Sequence, residues 1–287
     1  MLDETVRTDA VQAELKPYDK GRLSYAGTFT NPWKAGTIRA IEWITAKWKL
    51  LRLIRQFERR GAPVGQAFWP QALDIMGIKV TTPPEQIARI PKEGPLVVVA
   101  NHPHGLVDGM VLAYLIGQVR TDYKILTRSL LTGIPEIAEF MLPVPFPHEP
   151  NAQEESLKMR AECMATLKAG GVIVLFPAGA VAHSATFFGP AIEGEWNPFT
   201  AKMLARSGAQ VLPIYFPGHN TRAYQIANKL SATLRQGLLL HEIRRALNKP
   251  QSPVIGPAKS AAEIAGPLKN PRKFLADLRE ETLNLRN

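Results

Sequence analysis

Two histidines and an aspartate lie close together near the middle of the chain. His102, His104 and Asp108 belong to the stretch that runs from Asn101 to Gly109. Imidazole is the side chain best suited to accept a proton near neutral pH, and a neighbouring carboxylate fixes its tautomer and stabilises the imidazolium that forms. These residue types at this spacing predict a general base with an orienting carboxylate.

The same spacing allows other roles for these residues. Asp108 could cap the helix that follows, with the histidines making only hydrogen bonds within the turn. A zinc site needs a third ligand beside the His-x-His pair, and the single cysteine, Cys163, supplies no thiolate cluster. The helix-cap alternative stays open, and no metal is expected.

A strand and a helix are expected to position this cluster. Leu96–Ala100 is a short apolar, β-branched run that is typical of a buried strand. Met110–Ile116 is apolar enough for a buried helix. Pro103 and Gly105 stiffen and bend the connection between them. The cluster therefore occupies a strand-to-helix turn, which is a common place for a site in an α/β sheet.

Three blocks of this sequence, in this order, resemble the signature blocks of the glycerolipid acyltransferase superfamily. This superfamily includes the lysophosphatidate acyltransferases and the bacterial lyso-ornithine-lipid acyltransferases. Asn-His with a following Asp-Gly after an apolar strand is similar to the first block. Val172–Phe176 with Pro177-Ala178-Gly179 resembles the third block, Phe-Pro-Glu-Gly. Gly208–Phe216 resembles the fourth block, a strand with a buried proline.

The resemblance implies which residues form the site. Most members have four residues between the His and the Asp, whereas here His102 has five and His104 has three before Asp108. A variant with five is also known in the superfamily, so His102 is the first choice for the base and His104 the alternative. Main-chain amides near Gly105 or Gly179 are the candidates for binding an oxyanion. The expected substrate-binding residues are Asn101, Gly105, Arg128, Phe176, Pro177, Ala178 and Gly179.

The resemblance implies an O-acyltransferase that moves a fatty acyl group from a thioester to the hydroxyl of a lyso-lipid. The donor would be acyl carrier protein or coenzyme A as a co-substrate, and no cofactor is expected. The sequence contains no Gly-x-Ser-x-Gly motif, and Cys163 lies in a helix-like run, so no nucleophile is apparent beside the histidines. Direct transfer is therefore favoured over a covalent acyl-enzyme. Thioester hydrolysis is an alternative that needs only water as acceptor.

Two departures from the superfamily pattern concern the acceptor. The arginine that ends the second block and the glutamate of the third block are tied to acceptor binding in the superfamily. Phe146 and Ala178 stand near those places here. Phosphate recognition favours arginine forks, so neither residue suits a phosphate, although Arg128 could reach one. We therefore predict a lyso-aminolipid acceptor such as lyso-ornithine lipid, with lysophosphatidate as the alternative.

The composition indicates a folded protein with a basic surface. The chain has 287 residues, of which 45% are hydrophobic and 21% charged, with a formal net charge of +10. Basic proteins attract nucleic acids, anionic lipids or acidic proteins. No nucleic-acid-binding signature is present. The expected partners are a lyso-lipid, the acyl thioester and an anionic membrane surface, and self-association into a homo-oligomer stays open.

The region before the core resembles a membrane-facing lead-in. Thr37–Arg60 has the spacing of an amphipathic helix with a basic surface, which is typical of binding to membrane surfaces. Its alternative is a helix packed on its own domain, with the basic face in solvent. Gly65–Met76 is expected to form a second helix. Because no secretory or membrane-spanning segment is apparent, we expect a peripheral protein on the cytoplasmic face of the inner membrane. The competing class is a non-catalytic membrane-binding module.

The predicted fold class is α/β. Residues 1–76 form an arm and the two-helix lead-in, and residues 77–287 form a single acyltransferase-type domain. Its central sheet is mostly parallel and flanked by helices. Gly77–Thr81 is expected to be a strand, and Arg222–Lys249 a basic helical tail.

Overall fold

The computed structural model describes residues 23–28, 31–127, 131, 134–145 and 151–286. Within these residues a six-stranded sheet forms the centre of the protein, with the strand order β3-β2-β4-β1-β7-β8. A two-stranded ribbon, β5–β6, lies apart from it. The strands are β1 Leu96–Ala100, β2 Tyr123–Thr127, β3 Met141–Pro143, β4 Val172–Leu175, β5 His183–Ser184, β6 Ala191–Ile192, β7 Gln210–Tyr215 and β8 Val254–Ile255.

Helices precede the sheet, connect its strands and follow it. They are α1 Pro32–Glu42, α2 Trp48–Arg59, α3 Phe68–Ile75, α4 Pro84–Ile87, α5 Leu106–Ile116, α6 Ala152–Lys168, α7 Pro198–Ser207, α8 Arg222–Leu230, α9 Ala232–Gly237, α10 Leu239–Ala246, α11 Ala261–Ala265 and α12 Pro271–Asn284. A π-helical turn, Trp43–Lys47, joins α1 to α2. Short 3₁₀ turns are Ala26–Thr28, Gly65–Ala67, Pro135–Phe140 and Pro267–Lys269.

Strand β1 lies inside the sheet and is buried on both faces. Alternate side chains of a strand point to opposite faces. Leu96, Val98 and Ala100 accordingly join the apolar cluster that includes α5 and the lead-in helices. Val97 and Val99 join a second cluster with residues of α6, α7 and α12. This double coverage explains why the strand is a continuous apolar run rather than an alternating one.

The parallel pairing brings three strand ends to one edge of the sheet. β1 pairs in parallel with β4 on one side and β7 on the other. The short strand β8 pairs antiparallel with β7 and ends that side of the sheet. The predicted α/β fold, with a mostly parallel sheet flanked by helices, is confirmed. The residues that follow β1, β4 and β7 must therefore lie close together.

Two predicted elements differ from the structure. Within the described residues, the predicted strand Gly77–Thr81 is reduced to an isolated bridge between Val80 and Gln251. The predicted helical tail is three helices, because Ser231 has the extended φ of −164° that ends α8. The Ser231 side chain then accepts a hydrogen bond from Thr233 N–H and caps α9.

The lead-in helix begins earlier than predicted and is interrupted. It starts at Pro32, and the wider π-helical turn shifts the side-chain register at its centre. The predicted apolar stripe is consequently divided, since Ile44 is exposed and Leu51 is buried. Glu42, which precedes the π-helical turn, is buried and accepts hydrogen bonds from Ser24 Oγ–H at 2.6 Å and from a main-chain N–H at 2.7 Å. Among the described residues, no helix combines the length and apolar character needed to cross a bilayer.

Candidate active site

The candidate site lies where β1 and β7 end. Asn101, the first residue after β1, is buried, and its amide bonds both main-chain groups of Phe216 after β7. Asn101 Nδ2–H donates to Phe216 O at 2.8 Å, and Phe216 N–H donates to Asn101 Oδ1 at 2.7 Å. The amide thus continues the pairing of the two strands beyond their last residues. This fixes the position at which His102 leaves the sheet.

Asp108 is fully buried in the first turn of α5 and accepts four hydrogen bonds. His102 Nδ1 and His104 Nδ1 each lie 3.0 Å from one of its two oxygens. The main-chain N–H groups of His104 and Gly105 donate to Oδ2 at 2.8 and 3.1 Å. The structure therefore brings the predicted base, its alternative and their carboxylate together. Gly105 has a φ of +89°, which an L side chain rarely adopts, so a glycine suits this turn.

The buried carboxylate and the imidazoles shift one another's protonation. Burial alone would raise the pKa of Asp108, but the two imidazoles outweigh it and hold that pKa well below its ordinary value. Burial likewise opposes charge on His104, yet the Asp108 carboxylate raises the pKa of His104 above its ordinary value. Asp108 is therefore ionised near neutral pH. Each imidazole contacts Asp108 through its Nδ1 atom. The Nε2 atom of each ring can therefore interact with other groups.

The two imidazoles have different surroundings. The His102 ring stacks on the Phe176 ring after β4, with centroids 3.8 Å apart and planes inclined by 19°. His104 Nε2 lies against the main chain of Gly218, so close that a Cβ added there would be 2.8 Å from it. The outer nitrogen of His104 is thus partly covered by the turn after β7. The two side chains are equally exposed overall, at 17% for His102 and 18% for His104, so the choice of His102 as the base rests on the superfamily pattern.

The residues of the third block, Pro177-Ala178-Gly179, lie just after the end of β4. Pro177 O accepts a hydrogen bond from Asn197 N–H at 2.9 Å, and Ala178 is half-buried beside Gly194. Gly179 has a φ of +67°, and its N–H donates to Phe176 O at 2.9 Å. The main-chain amides of Gly105 and Gly179, the candidates for binding an oxyanion, therefore already have acceptors within the protein. Arg128 and Phe146 lie outside the described residues.

A carboxylate that the sequence did not indicate also reaches the site. Glu193 follows β6, is buried, and accepts a hydrogen bond from His102 N–H at 3.1 Å. Burial raises the pKa of Glu193, while the hydrogen bonds from His102 and Trp196 oppose that rise. Glu193 is 91 positions from His102 and belongs to no motif, so only the fold joins the two residues.

Neither Cys163 nor a metal-binding group adds chemistry to this site within the described residues. Burial raises the pKa of the Cys163 thiol to about 12, so this side chain is a poor nucleophile near neutral pH. In the described part of the chain, no group of three or more His, Cys, Asp or Glu side chains is arranged to hold a metal ion.

Comparison with known proteins gives the following similarities. The model of a family described as acyltransferase matches residues 68–242. A lyso-glycine lipid O-acyltransferase of Bacteroides thetaiotaomicron is 26% identical over 171 residues, which are 59% of this chain and 60% of that protein. A protein of the same name from Phocaeicola vulgatus is 25% identical over 167 residues, 58% of this chain and 57% of its own. The chain thus matches about three fifths of the length of these curated relatives.

Among solved structures, the chain is similar to the 1-acyl-sn-glycerophosphate (LPA) acyltransferase PlsC from Thermotoga maritima. The sequence identity is 14%, the TM-score is 0.45, and the match covers 96% of each chain.

Proposed function

This chain belongs to the acyltransferase family, and from that premise we propose that it transfers a fatty acyl group from a thioester to the hydroxyl of a lyso-lipid. The observation that carries the proposal is the buried Asp108 carboxylate, which holds His102 Nδ1 at 3.0 Å where β1 ends. This arrangement leaves Nε2 of a carboxylate-oriented imidazole free to accept a proton. The donor would be an acyl carrier protein or coenzyme A thioester.

In the proposed reaction, His102 Nε2 accepts the proton of the lyso-lipid hydroxyl as the oxygen attacks the thioester carbonyl carbon. The new C–O bond forms, and the carbonyl π electrons move onto the carbonyl oxygen. When the C=O double bond re-forms, the C–S bond breaks and its electron pair leaves with the sulfur. The His102 imidazolium then returns its proton to the thiolate. The products are an ester and a free thiol, and Asp108 stabilises the imidazolium between the two steps.

His102 and His104 can be distinguished by their variants. His102→Ala should lower kcat by about 10² to 10⁴-fold, because it removes the base. His104→Ala should lower kcat less, because the outer nitrogen of His104 lies against Gly218. The measurement is the transfer of a labelled acyl group, with circular dichroism as the control for folding. A larger loss in a folded His104→Ala than in His102→Ala would assign the base to His104.

We propose a lyso-aminolipid as the acceptor. The apolar Ala178, which stands where the superfamily has a glutamate, supports it. The name of the two curated relatives supports the same lipid class with glycine rather than ornithine as the head group. Lyso-ornithine lipid, our expectation from the sequence, and lyso-glycine lipid are both acceptors of this class. Lysophosphatidate is the competing acceptor.

A competition assay tests this choice directly. The purified protein receives equal amounts of lyso-glycine lipid, lyso-ornithine lipid and lysophosphatidate with one labelled acyl thioester, and the products are separated by mass. We expect acylated aminolipid to dominate. Dominant phosphatidate would refute the aminolipid proposal while leaving acyl transfer intact. Free fatty acid as the main product would indicate a thioesterase, and binding of lipid without turnover would indicate a non-catalytic module.

We also propose that the lead-in contacts an anionic membrane surface, as a peripheral protein on the cytoplasmic face of the inner membrane. Large apolar side chains of α1 and the π-helical turn are exposed, with Trp33 at 85% and Ile44 at 80%. The basic side chains Arg39 and Arg52 are exposed on the same lead-in. Interfacial helices combine such aromatic and basic groups. This contact would bring the site to its lipid acceptor.

A further inference from the structure

The carboxylate of Glu193 contacts the main chain of the proposed base rather than its ring. Glu193 is 5% exposed. Its Oε2 accepts a hydrogen bond from His102 N–H at 3.1 Å, and its Oε1 accepts one from the indole Nε1–H of Trp196 at 3.3 Å. Both donors are N–H groups, so the ionised carboxylate, which only accepts, matches them both.

Residues of three neighbouring segments fix the main chain and side chain of Glu193 and the main chain of His102. Arg279 of α12 donates Nε–H to Gly194 O at 2.8 Å and also donates a hydrogen bond to Glu193 O. Trp196 is buried in the cluster that includes α12. Ala182, the residue directly before β5, donates its N–H to His102 O at 2.8 Å. Glu193 directly follows β6 at the other end of the ribbon. Both main-chain polar groups of His102 are therefore held by residues that flank this ribbon.

A carboxylate is a costly choice for this position if packing is its only role. A buried, ionised group loses its hydration, and the rise in the pKa of Glu193 through burial reflects that loss. A main-chain carbonyl could satisfy the His102 N–H without introducing a charge. A carboxylate instead gives a stronger hydrogen bond to the N–H group and fixes two donors at once.

We propose that Glu193 is a positioning residue for the transfer reaction, and that it acts by fixing the main chain of His102. This inference rests on the proposed function. The His102 ring is held by Asp108 at Nδ1 and by the face of Phe176, and both contacts depend on where its Cα lies. Small displacements of a catalytic group, about 1 Å, can lower the rate up to about 100-fold. Glu193 reduces that freedom without touching substrate.

The test is a pair of substitutions with a predicted rescue. In Glu193→Gln one oxygen becomes an NH₂ donor, which must face either the His102 N–H or the indole N–H of Trp196. Trp196→Phe removes the indole donor and allows the remaining oxygen to turn to His102. We expect Glu193→Gln to lower kcat about tenfold with little change in KM. The double variant Glu193→Gln/Trp196→Phe should regain most of that loss, within about threefold of Trp196→Phe alone.

The matched control is Glu195→Gln, which makes the same change of charge two residues further along at an exposed position. It should leave kcat unchanged. A Glu193→Gln variant with the kcat of the original chain would overturn the proposal. So would a double variant that is slower than Glu193→Gln, because that result indicates packing alone.

A second readout separates this proposal from the proposed function. Nuclear magnetic resonance of the full chain with ¹⁵N-labelled histidine reports the ring nitrogens of His102, assigned by their loss in His102→Ala. Glu193→Gln should shift or broaden these signals, the double variant should restore them, and Glu195→Gln should leave them in place. If the chain transfers no acyl group but the His102 signals behave in this way, the function fails and the positioning role stands. Unchanged His102 signals in a folded Glu193→Gln would refute the positioning role.

Discussion

At the scale of residues, Asp108 performs two roles that the sequence presented as alternatives. Its Oδ2 accepts the main-chain N–H of Gly105, as a capping side chain does at the start of α5. The same carboxylate orients His102 and His104 through their Nδ1 atoms. Because these two main-chain and two side-chain donors converge on one group, capping the helix also holds the imidazoles in place. The helix cap and the proposed catalytic carboxylate are therefore one residue.

The His102, His104 and Asp108 cluster could be predicted from the sequence, whereas Glu193 could not. His102, His104 and Asp108 are separated by only a few residues, so one turn of known type brings them together. Glu193 has no such neighbour in the sequence. Its contact with His102 depends on the parallel pairing of β1 with β4 and on the path of the β5–β6 ribbon, which local patterns do not determine.

The shifted pKa of His104 predicts how its contribution to stability varies with pH. Asp108 raises the folded-state pKa of His104 above the unfolded value, so this stabilisation is fully present below about pH 6.5 and is lost as pH rises through the folded-state pKa. His104→Asn should therefore lower the free energy of unfolding more at about pH 5.5 than at about pH 9. Urea denaturation at both pH values measures the difference.

The exposed residue Leu157 on α6 provides the control for that measurement, since its side chain carries no ionisable group. Leu157→Ser should change the free energy of unfolding equally at the two pH values. A loss of stability in His104→Asn that is the same at both pH values would contradict the proposed ion pair between His104 and Asp108.

At the scale of elements, the interior strand β1 is predicted from the sequence more accurately than the segment before the sheet and the helix boundaries after it. Leu96–Ala100 was predicted with its observed bounds, because an interior strand buried on both faces must be apolar throughout. Gly77–Thr81 has strand-like residues, but it pairs through an isolated bridge to Gln251, a distant partner that the sequence does not identify. The predicted helical tail is divided at Ser231, whose side chain caps the next helix. Local propensity alone did not reveal that boundary.

The turn after β7 allows a test of how an element positions the site. Gly218 has a φ of +98°, and a Cβ there would lie 2.8 Å from His104 Nε2. Gly218→Ala should displace the His104 ring and lower kcat, in addition to a backbone cost of about 1 kcal/mol. Gly208 is the matched control, because its φ is also positive, at +64°, but nothing lies within 4 Å of an added Cβ.

Gly208→Ala should lower the free energy of unfolding by a similar backbone cost and leave kcat unchanged. Thermal unfolding and steady-state kinetics on both variants measure the two effects. Equal kinetics in Gly218→Ala and Gly208→Ala would show that His104 does not depend on the turn after β7.

At the scale of the whole molecule, the two faces of the sheet have different coverings. The lead-in helices and α5 cover one face, and α6, α7 and α12 cover the other. The first covering is connected to the ribbon beside the site, since α1 packs on α9, α9 on α8, and α8 on β5. The ribbon has exposed apolar side chains of its own, with Phe188 at 82%. Apolar surface therefore occurs on both the lead-in and the ribbon, which this chain of contacts connects.

The division of the lead-in stripe could not be predicted from helical periodicity. A regular helix would place Ile44 and Leu51 on one face, which would be either exposed or packed. The π-helical turn changes the register, so the second half packs on the core while Trp43 and Ile44 stay exposed. Of the two alternatives that the sequence left open, packing on the domain is observed for α2. Membrane contact by the exposed residues around the π-helical turn stays a proposal.

The exposed part of the lead-in gives the prediction for membrane contact. Trp43→Ser/Ile44→Ser should weaken binding to vesicles that contain anionic lipid by at least about tenfold, because two large apolar side chains would no longer leave water. Binding of the unchanged protein should also weaken as salt rises, since the exposed basic groups of the lead-in each contribute about 1 kcal/mol near an anionic surface. Vesicle flotation at several salt concentrations measures both effects.

Leu157→Ser is the matched control, because Leu157 is 65% exposed but lies on α6, which covers the other face of the sheet. This control should bind vesicles like the unchanged protein. Equal binding by all three proteins would show that the exposed lead-in residues do not contact the membrane.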